Sequence, residues 1–198
     1  MTTYAFPATW KANHFELRIL PNTRLFVGPY SPTTQVLDLL GERWVAVIGL
    51  PPDNDPAVGA GREAFFDRLK GPANLISLWH LRLPAPQGTM RGSPTLSGAV
   101  AQLANTCNIQ TSAGATVKAG DMLSLSGQLV RIMADATANG GGVLAVEFQP
   151  RARAAWSNGA AVVWDKPTAN FMLKSDGVPT AWKPGVVEAA SLDLIEVW

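Results

Sequence analysis

Short alternating segments, separated by Gly, Pro, Asn and Asp, dominate this sequence and restrict it to a fold built mainly of β-strands. In residues 14–20, Phe15, Leu17 and Ile19 fall on one face and the charged residues between them on the other, which is typical of a half-buried strand. About a dozen such segments recur at intervals of about 8–12 residues, the spacing of a β-sandwich or barrel. The sequence has no repeat of fixed period, which argues against a propeller or a solenoid.

One segment, residues 56–70, carries the signals of an α-helix. Asp53, Asn54 and Asp55 can cap it, Pro56 suits its first turn, and a cation followed by Gly and Pro can end it. Two glycines in its first half each cost about 1 kcal/mol relative to alanine, so the helix is expected to begin as late as Arg62. The predicted fold class is therefore all-β, of sandwich or barrel type, with one short α-helix.

Residues 84–98 are rich in Pro, Gly and Ser and are the strongest candidate for a domain boundary or a projecting loop. We predict one β-sandwich formed by residues 1–87 and 154–198 together, with residues 88–153 inserted as a β-subdomain. A single domain over residues 1–198 is the alternative. A chain of 198 residues is long enough for either arrangement.

Charge and cysteine content disfavour several classes of protein. The net charge is +1, from 16 basic and 15 acidic residues that are well mixed, so no basic stripe for nucleic-acid binding is expected. No apolar stretch reaches about 18 residues, and the first residues lack the pattern of a signal peptide, so we expect neither membrane insertion nor secretion. The single cysteine, Cys107, cannot form an intramolecular disulfide, which favours synthesis in a cytoplasm.

Few residues could carry chemistry. His14 and His80 fall in predicted strands, and two histidines with one cysteine are too few for a structural zinc site. Asp121, Asp135 and Glu147 are the candidates for the carboxylate pair of a hydrolase, but they occupy hairpin or strand positions where solvated residues are ordinary. We predict no catalytic residue, no cofactor and no metal, and therefore a protein that is not an enzyme.

The chain contains seven tryptophans, a surplus that suggests contact surfaces. Tryptophan is enriched at protein–protein interfaces, and an exposed ring can also stack on a sugar. Tryptophans in strongly apolar segments are expected in the core, and those near loops are candidates for exposure. The first group is Trp44, Trp79 and Trp164; the second is Trp10, Trp156 and Trp182.

Two irregular segments, residues 84–98 and 151–158, are predicted to contact neighbouring subunits, because both are long and contain arginine. An interface is favoured over a sugar site for the tryptophans near loops. The candidate interface residues are Arg91, Pro94, Leu96, Arg151, Arg153, Trp156 and Trp182.

The order of short motifs along the chain is more specific than any one of them. The motifs are Phe6-Pro7 with Trp10, Ser31-Pro32 with Gln35, Gly41-Glu42-Arg43-Trp44, Phe65-Phe66 with Leu69 to Pro72, Gly120-Asp121, Gly127-Gln128-Leu129, Asp135 with Asn139-Gly140, and Pro150 with Arg153. This order, between about Phe6 and Trp164, resembles the small distal-tail or baseplate proteins of long-tailed bacteriophages and prophages.

The resemblance implies a structural role in a phage tail tip. Distal tail proteins are β-sandwiches that form rings, usually hexameric, and join the tail tube to the baseplate hub and the receptor-binding proteins. The expected partners are therefore copies of this chain, the tube protein, the hub and the receptor-binding proteins. The expected location is the virion, after assembly in the host bacterial cytoplasm. The alternative is a carbohydrate-binding β-sandwich module that contacts the host surface.

Overall fold

The computed structural model describes residues 1–28, 30 and 33–198; Ser31 and Pro32 of the second motif, with Pro29, lie outside the described residues. In this part of the chain, regular structure is mostly β with one α-helix, which confirms the predicted all-β class. The elements are β1 (Thr3–Ala5), β2 (His14–Leu20), β3 (Thr23–Val27), β4 (Thr34–Asp38), β5 (Arg43–Leu50), α1 (Pro56–Leu69), a 3-10 helix (Gly71–Ala73), β6 (Leu75–Trp79), β7 (Thr95–Leu96), β8 (Thr106–Gln110), β9 (Thr116–Val117), β10 (Met122–Leu125), β11 (Gln128–Ile132), β12 (Ala136–Thr137), β13 (Val143–Gln149), β14 (Val162–Val163), β15 (Thr168–Leu173), β16 (Trp182–Lys183), β17 (Val186–Val187) and β18 (Ala190–Glu196).

The first sheet has six strands in the order β1-β6-β15-β18-β5-β2, and all neighbours are antiparallel except β1 and β6. Its buried residues come from alternate positions of the strands and from one side of α1. Phe66 and Leu69 of the helix belong to the same buried cluster as Ile48, Leu78 and Phe171. The helix therefore covers an apolar face of this sheet, which the strand pattern alone would leave open.

The second sheet has six antiparallel strands in the order β14-β10-β11-β13-β8-β7. It has a buried cluster of its own, which includes Ile109, Phe148 and Trp156. All of its strands lie between β6 and β15 in the sequence, so the second sheet interrupts the first. Because β14 belongs to it, the second sheet extends past the boundary at residue 153. The division into two domains stays a prediction.

The two sheets are joined by hydrogen bonds and by shared apolar packing at β10 and β11. The indole Nε1 of Trp44 on β5 donates to the Leu129 carbonyl, 2.9 Å away. Nη2 of Arg131 on β11 donates to the Leu17 carbonyl of β2 over 3.0 Å. Met122 and Leu129 themselves belong to the buried cluster of the first sheet. One face of the β10–β11 hairpin therefore packs on the first sheet.

The helix begins at Pro56, so the expected start as late as Arg62 is wrong. Asp55 is the N-cap, and its Oδ1 accepts from the Ala57 backbone N–H over 2.8 Å, which offsets the cost of the glycines. Gly59 has a packing reason to be glycine, because a Cβ there would lie 2.2 Å from Cη2 of Trp182. Among the described residues, no helix has the length and apolar character to cross a membrane.

Candidate functional site: an apolar hairpin arm

A two-stranded hairpin, β3 with β4, projects from the end of the first sheet, and we call these ten residues the arm. Its register runs from Thr23 opposite Asp38 to Val27 opposite Thr34. The arm continues the β2–β5 pair, whose last matched residues are Leu20 and Arg43. The only strand that pairs with β3 in the described part of the chain is β4, so the arm is a separate two-stranded sheet.

Every residue of the arm is exposed, including its large apolar side chains. Leu25 and Val36, which are cross-strand partners on one face, are each 65% exposed. Phe26 on the opposite face is 56% exposed, and Leu37 shares that face. An isolated two-stranded hairpin is only marginally stable in water. An arm with exposed apolar side chains on both faces is therefore a candidate contact surface.

Neighbouring residues extend this apolar surface. The exposed large apolar side chains of the arm and its ends are Leu20, Leu25, Phe26, Val27, Tyr30, Val36, Leu37 and Leu39. Their combined exposed surface equals that of roughly five fully exposed side chains. At about 1.5–3 kcal/mol for each side chain, burial of this surface would contribute about 7–15 kcal/mol before any cost of association. Exposed patches of this size mark interaction sites in soluble proteins.

The base of the arm is fixed to the second sheet by polar contacts. Nη1 of Arg151 lies 3.1 Å from Oδ2 of Asp38, the last residue of β4. The backbone N–H of Arg151 donates to Oε2 of Glu42 over 3.2 Å. Within the turn, Leu40 and Gly41 have φ of 59° and 76°, a left-handed conformation that glycine adopts without strain. These contacts hold the arm in one direction relative to the sheets.

A cavity of about 230 Å³ lies at the base of the arm, and we call it the basal pocket. Its walls include Leu40, Leu103, Arg153 and Trp198. Leu103 and Trp198 are exposed, and the guanidinium groups of Arg43 and Arg153 lie 4.3 and 4.1 Å from the Trp198 ring centre. The basal pocket thus combines apolar side chains with Arg151, Arg153 and the carboxylate of Glu42, next to the arm.

Three of the predicted interface residues, Pro94, Leu96 and Trp156, are buried within the chain, so the expected exposure of Trp156 is wrong. Leu96 is 1% exposed and Trp156 is 5% exposed, and Pro94 is also buried. Trp156 stacks on Phe148, with ring centres 5.5 Å apart. The expected projecting loop at residues 84–98 is instead packed on the second sheet, because β7 pairs with β8.

The three predicted interface arginines make contacts within the chain. Nη1 of Arg91 donates to the carbonyls of Gly88 and Met90, at 2.9 and 2.6 Å. Arg151 holds the base of the arm, as described above. Arg153 forms an ion pair with the buried carboxylate of Glu196. Their guanidinium groups order irregular segments of this chain.

The burial of the remaining tryptophans differs in part from the sequence prediction. Trp44 is fully buried as expected, but Trp79 and Trp164 are only partly buried. Trp182 is exposed, as expected for a candidate interface residue; its indole Nε1 donates to Oε1 of Glu63 over 2.6 Å, and its ring packs against α1. Trp10 is half-buried among the rings of Phe6, Phe65 and Phe66.

Two of the three carboxylates considered for catalysis have structural contacts, and the third, Glu147, is exposed on β13. Asp121 is buried, and its oxygens accept backbone N–H groups of Gln87, Gly88 and Lys118 over 2.7–3.2 Å. Asp135 pairs with the Lys118 ammonium at 2.7 Å. Residues 1–28, 30 and 33–198 contain no cluster of His, Cys, Asp and Glu suited to a metal ion.

The two remaining groups of chemical interest are shielded by burial. Burial raises the pKa of the Cys107 thiol to about 12, so the thiolate that reacts with electrophiles is scarce at neutral pH. Burial, and then the charge of Arg131, lower the pKa of His80. His80 Nδ1 accepts the backbone N–H of Leu83 over 3.0 Å, and its ring contacts Phe15 edge-on.

The sequence contained a signal for the arm that reasoning from strand patterns did not use. In β3, Leu25, Phe26 and Val27 are consecutive, and in β4, Val36 and Leu37 are adjacent, so both faces are apolar. Such runs are ordinarily interpreted as strands buried on both sides. Only the three-dimensional arrangement distinguishes a buried strand from an exposed arm.

No protein-family model matches this chain, and no curated protein matches it in sequence.

Proposed function

We propose that this chain is a structural subunit that assembles with further copies of itself through the arm. The exposed apolar side chains on both faces of the arm carry this proposal. The proposed setting is the tail tip of a long-tailed bacteriophage, where a ring of these subunits joins the tube to the baseplate hub and receptor-binding proteins. That setting rests on the order of sequence motifs between about Phe6 and Trp164.

The size of the apolar surface favours a second copy as the occupant. The eight apolar side chains of the arm and its ends offer about 300–600 Å² of apolar area, a large share of the roughly 800 Å² that each partner buries in a standard interface. A partner that covers both faces must surround the arm rather than touch one side of it. Head-to-tail contacts in a closed ring meet this need, because each subunit then donates one arm and receives another.

The basal pocket is the proposed receiving surface on the neighbouring copy. It combines exposed Leu103 and Trp198 with cationic side chains, next to the base of the neighbour's own arm. The arm tip carries aromatic residues, Phe26 and Tyr30, that suit an apolar pocket with arginines at its rim.

The test is the oligomeric state of the chain and of one double variant, Leu25→Thr with Val36→Thr. Threonine keeps the β-propensity of the arm while removing apolar area from one face. Size-exclusion chromatography with light scattering over a range of concentrations should show wild-type oligomers and variant monomers. Val163→Thr, at an exposed position of β14, is the matched control and should assemble like the wild type.

Two results would count against the proposal. If the wild-type chain stays monomeric at every concentration, self-assembly is rejected as its function. A double variant that assembles as fully as the wild type, with an unchanged circular dichroism spectrum, removes the arm as the interface. The tail-tip setting is tested separately by electron microscopy of phage particles labelled with a gold-tagged antibody. Label at another part of the particle, or particles that carry no label, would reject that setting.

A further inference from the structure

A buried arginine without a counter-charge lies in helix α1, on the side away from solvent. Arg62 is 3% exposed, and its one hydrogen bond runs from Nη1 to the Pro51 carbonyl over 2.8 Å. No carboxylate of the described residues is within salt-bridge distance of it. A guanidinium stays charged in proteins, and a buried charge is ordinarily paired. Arg62 is therefore missing a partner that this chain does not supply.

The unsatisfied atoms lie on one edge of the guanidinium group. Nε is buried and has no hydrogen-bond partner in the described part of the chain. Nη2 also has no partner there, yet it is not among the fully enclosed polar atoms. Nε is enclosed by protein, so Nη2 is the nitrogen that both lacks a partner in the described residues and can meet a ligand. A charge-assisted hydrogen bond from Nη2 to a carboxylate oxygen would satisfy it.

Arg62 lines a cavity of about 530 Å³ between α1 and the segment before β2. Its charged walls are Lys11, Arg62 and Asp53, two cations and one carboxylate, which leaves one net positive charge. Trp10 and Val58 supply apolar walls. A single net positive charge matches one carboxylate better than a dianionic phosphate, because the dianion would also be repelled by Asp53.

We infer that this cavity binds a carboxylate group, with Arg62 as the charged partner and Lys11 as a second cation. The carboxylate comes either from a small organic acid or from an acidic side chain of a second copy of this chain. The inference is independent of the arm, since the cavity contains none of the arm residues. In either case the bound group supplies the counter-charge that Arg62 lacks.

The test is nuclear magnetic resonance of the arginine Nε–Hε signals of the whole chain. The Arg62 signal is assigned by its loss in Arg62→Lys, and Arg68→Lys, an exposed position on the same helix, is the control. Sodium propionate, sodium phosphate and sodium chloride are titrated separately at equal ionic strength. A dilution series of the protein alone, with no organic acid added, tests whether a second copy of the chain supplies the carboxylate.

We expect propionate to shift the Arg62 signal saturably and more tightly than phosphate does, with no comparable shift from chloride. If the carboxylate comes from a second copy, the same signal shifts as protein concentration rises without propionate, and propionate then competes. If it comes from a small acid, the dilution series leaves the signal unchanged. The inference would be overturned if the Arg62 signal shifts neither with propionate nor with protein concentration, or if chloride shifts it as much as propionate does. Tighter binding of phosphate would reject the assignment of a carboxylate.

Discussion

The ion pair between Arg153 and Glu196 joins an irregular segment after β13 to the last strand of the first sheet. Glu196 is 2% exposed, and its Oε2 also accepts the Trp44 backbone N–H over 2.9 Å. Arg153 is less deeply buried, and its backbone N–H donates to Oε1 of Gln128 over 2.9 Å. Removal of the arginine would therefore leave a buried carboxylate with only one donor, whereas removal of the carboxylate charge would leave an arginine that still reaches water.

This asymmetry gives a prediction for a double-mutant cycle. Arg153→Met should lower the free energy of unfolding by about 3 kcal/mol, the lower end of the range for an uncompensated buried charge, because Arg153 is partly exposed. Glu196→Gln keeps an oxygen for Trp44 and should cost about 1–2 kcal/mol. In the double variant no charge is stranded, so its cost should be about 1–2 kcal/mol, well below the sum of the two single effects.

Urea unfolding followed by circular dichroism at neutral pH measures each free energy, and an unchanged slope with urea shows that the variants unfold the same surface. Lys118→Met, which removes an exposed ion pair with Asp135, is the control and should destabilise the chain far less than Arg153→Met does, because water screens exposed charges. The reasoning fails if the double variant loses the full sum of the single effects, or if Arg153→Met is no more destabilising than the Lys118 control.

Two further predictions concern α1 and the pH dependence of stability. Gly59→Ala should lower the melting temperature, since its Cβ would meet Trp182 at 2.2 Å and overpacking costs about 1–3 kcal/mol, whereas Gly61→Ala meets no atom and should raise it. Equal effects of the two changes would contradict the proposed packing. Because the pKa of His80 is lowered in the folded state, its contribution to stability is complete above the ordinary histidine pKa and is lost as pH falls below it. His80→Gln should therefore flatten the decline of the free energy of unfolding between pH 7 and pH 5, and an unaltered decline would refute this.

Local structure could be predicted from the sequence where the residue pattern is compatible with a single backbone conformation. The bounds predicted for the strand at residues 14–20 match β2, because the alternating run there ends at a turn residue. The turn between β10 and β11 is also local: Ser126 and Gly127 both have positive φ, as this tight hairpin turn requires. These features depend only on neighbours in the sequence.

The location of individual side chains required contacts that no local pattern encodes. Trp156 and Leu96 lie in segments of loop composition, yet both are buried because strands more than ten residues away form a core beneath them. The arm shows the reverse case, since every residue of the apolar strands β3 and β4 is exposed. Burial of this kind depends on the topology of the two sheets, which follows from pairing between distant strands.

The strand order of the first sheet has a consequence for synthesis on the ribosome. β18 lies between β15 and β5, and β5 lies about 140 residues earlier in the sequence. The second sheet, whose strands all lie between β6 and β15, can pair completely while β18 is still to be translated. Until β18 emerges, one edge of β5 remains unpaired. Apolar residues that are buried in the complete fold, such as Ala46 and Ile48, then lie on an open strand. A strand made about 140 residues after β5 therefore completes the centre of the first sheet, and the open edge of β5 is a site for aggregation until β18 pairs with it.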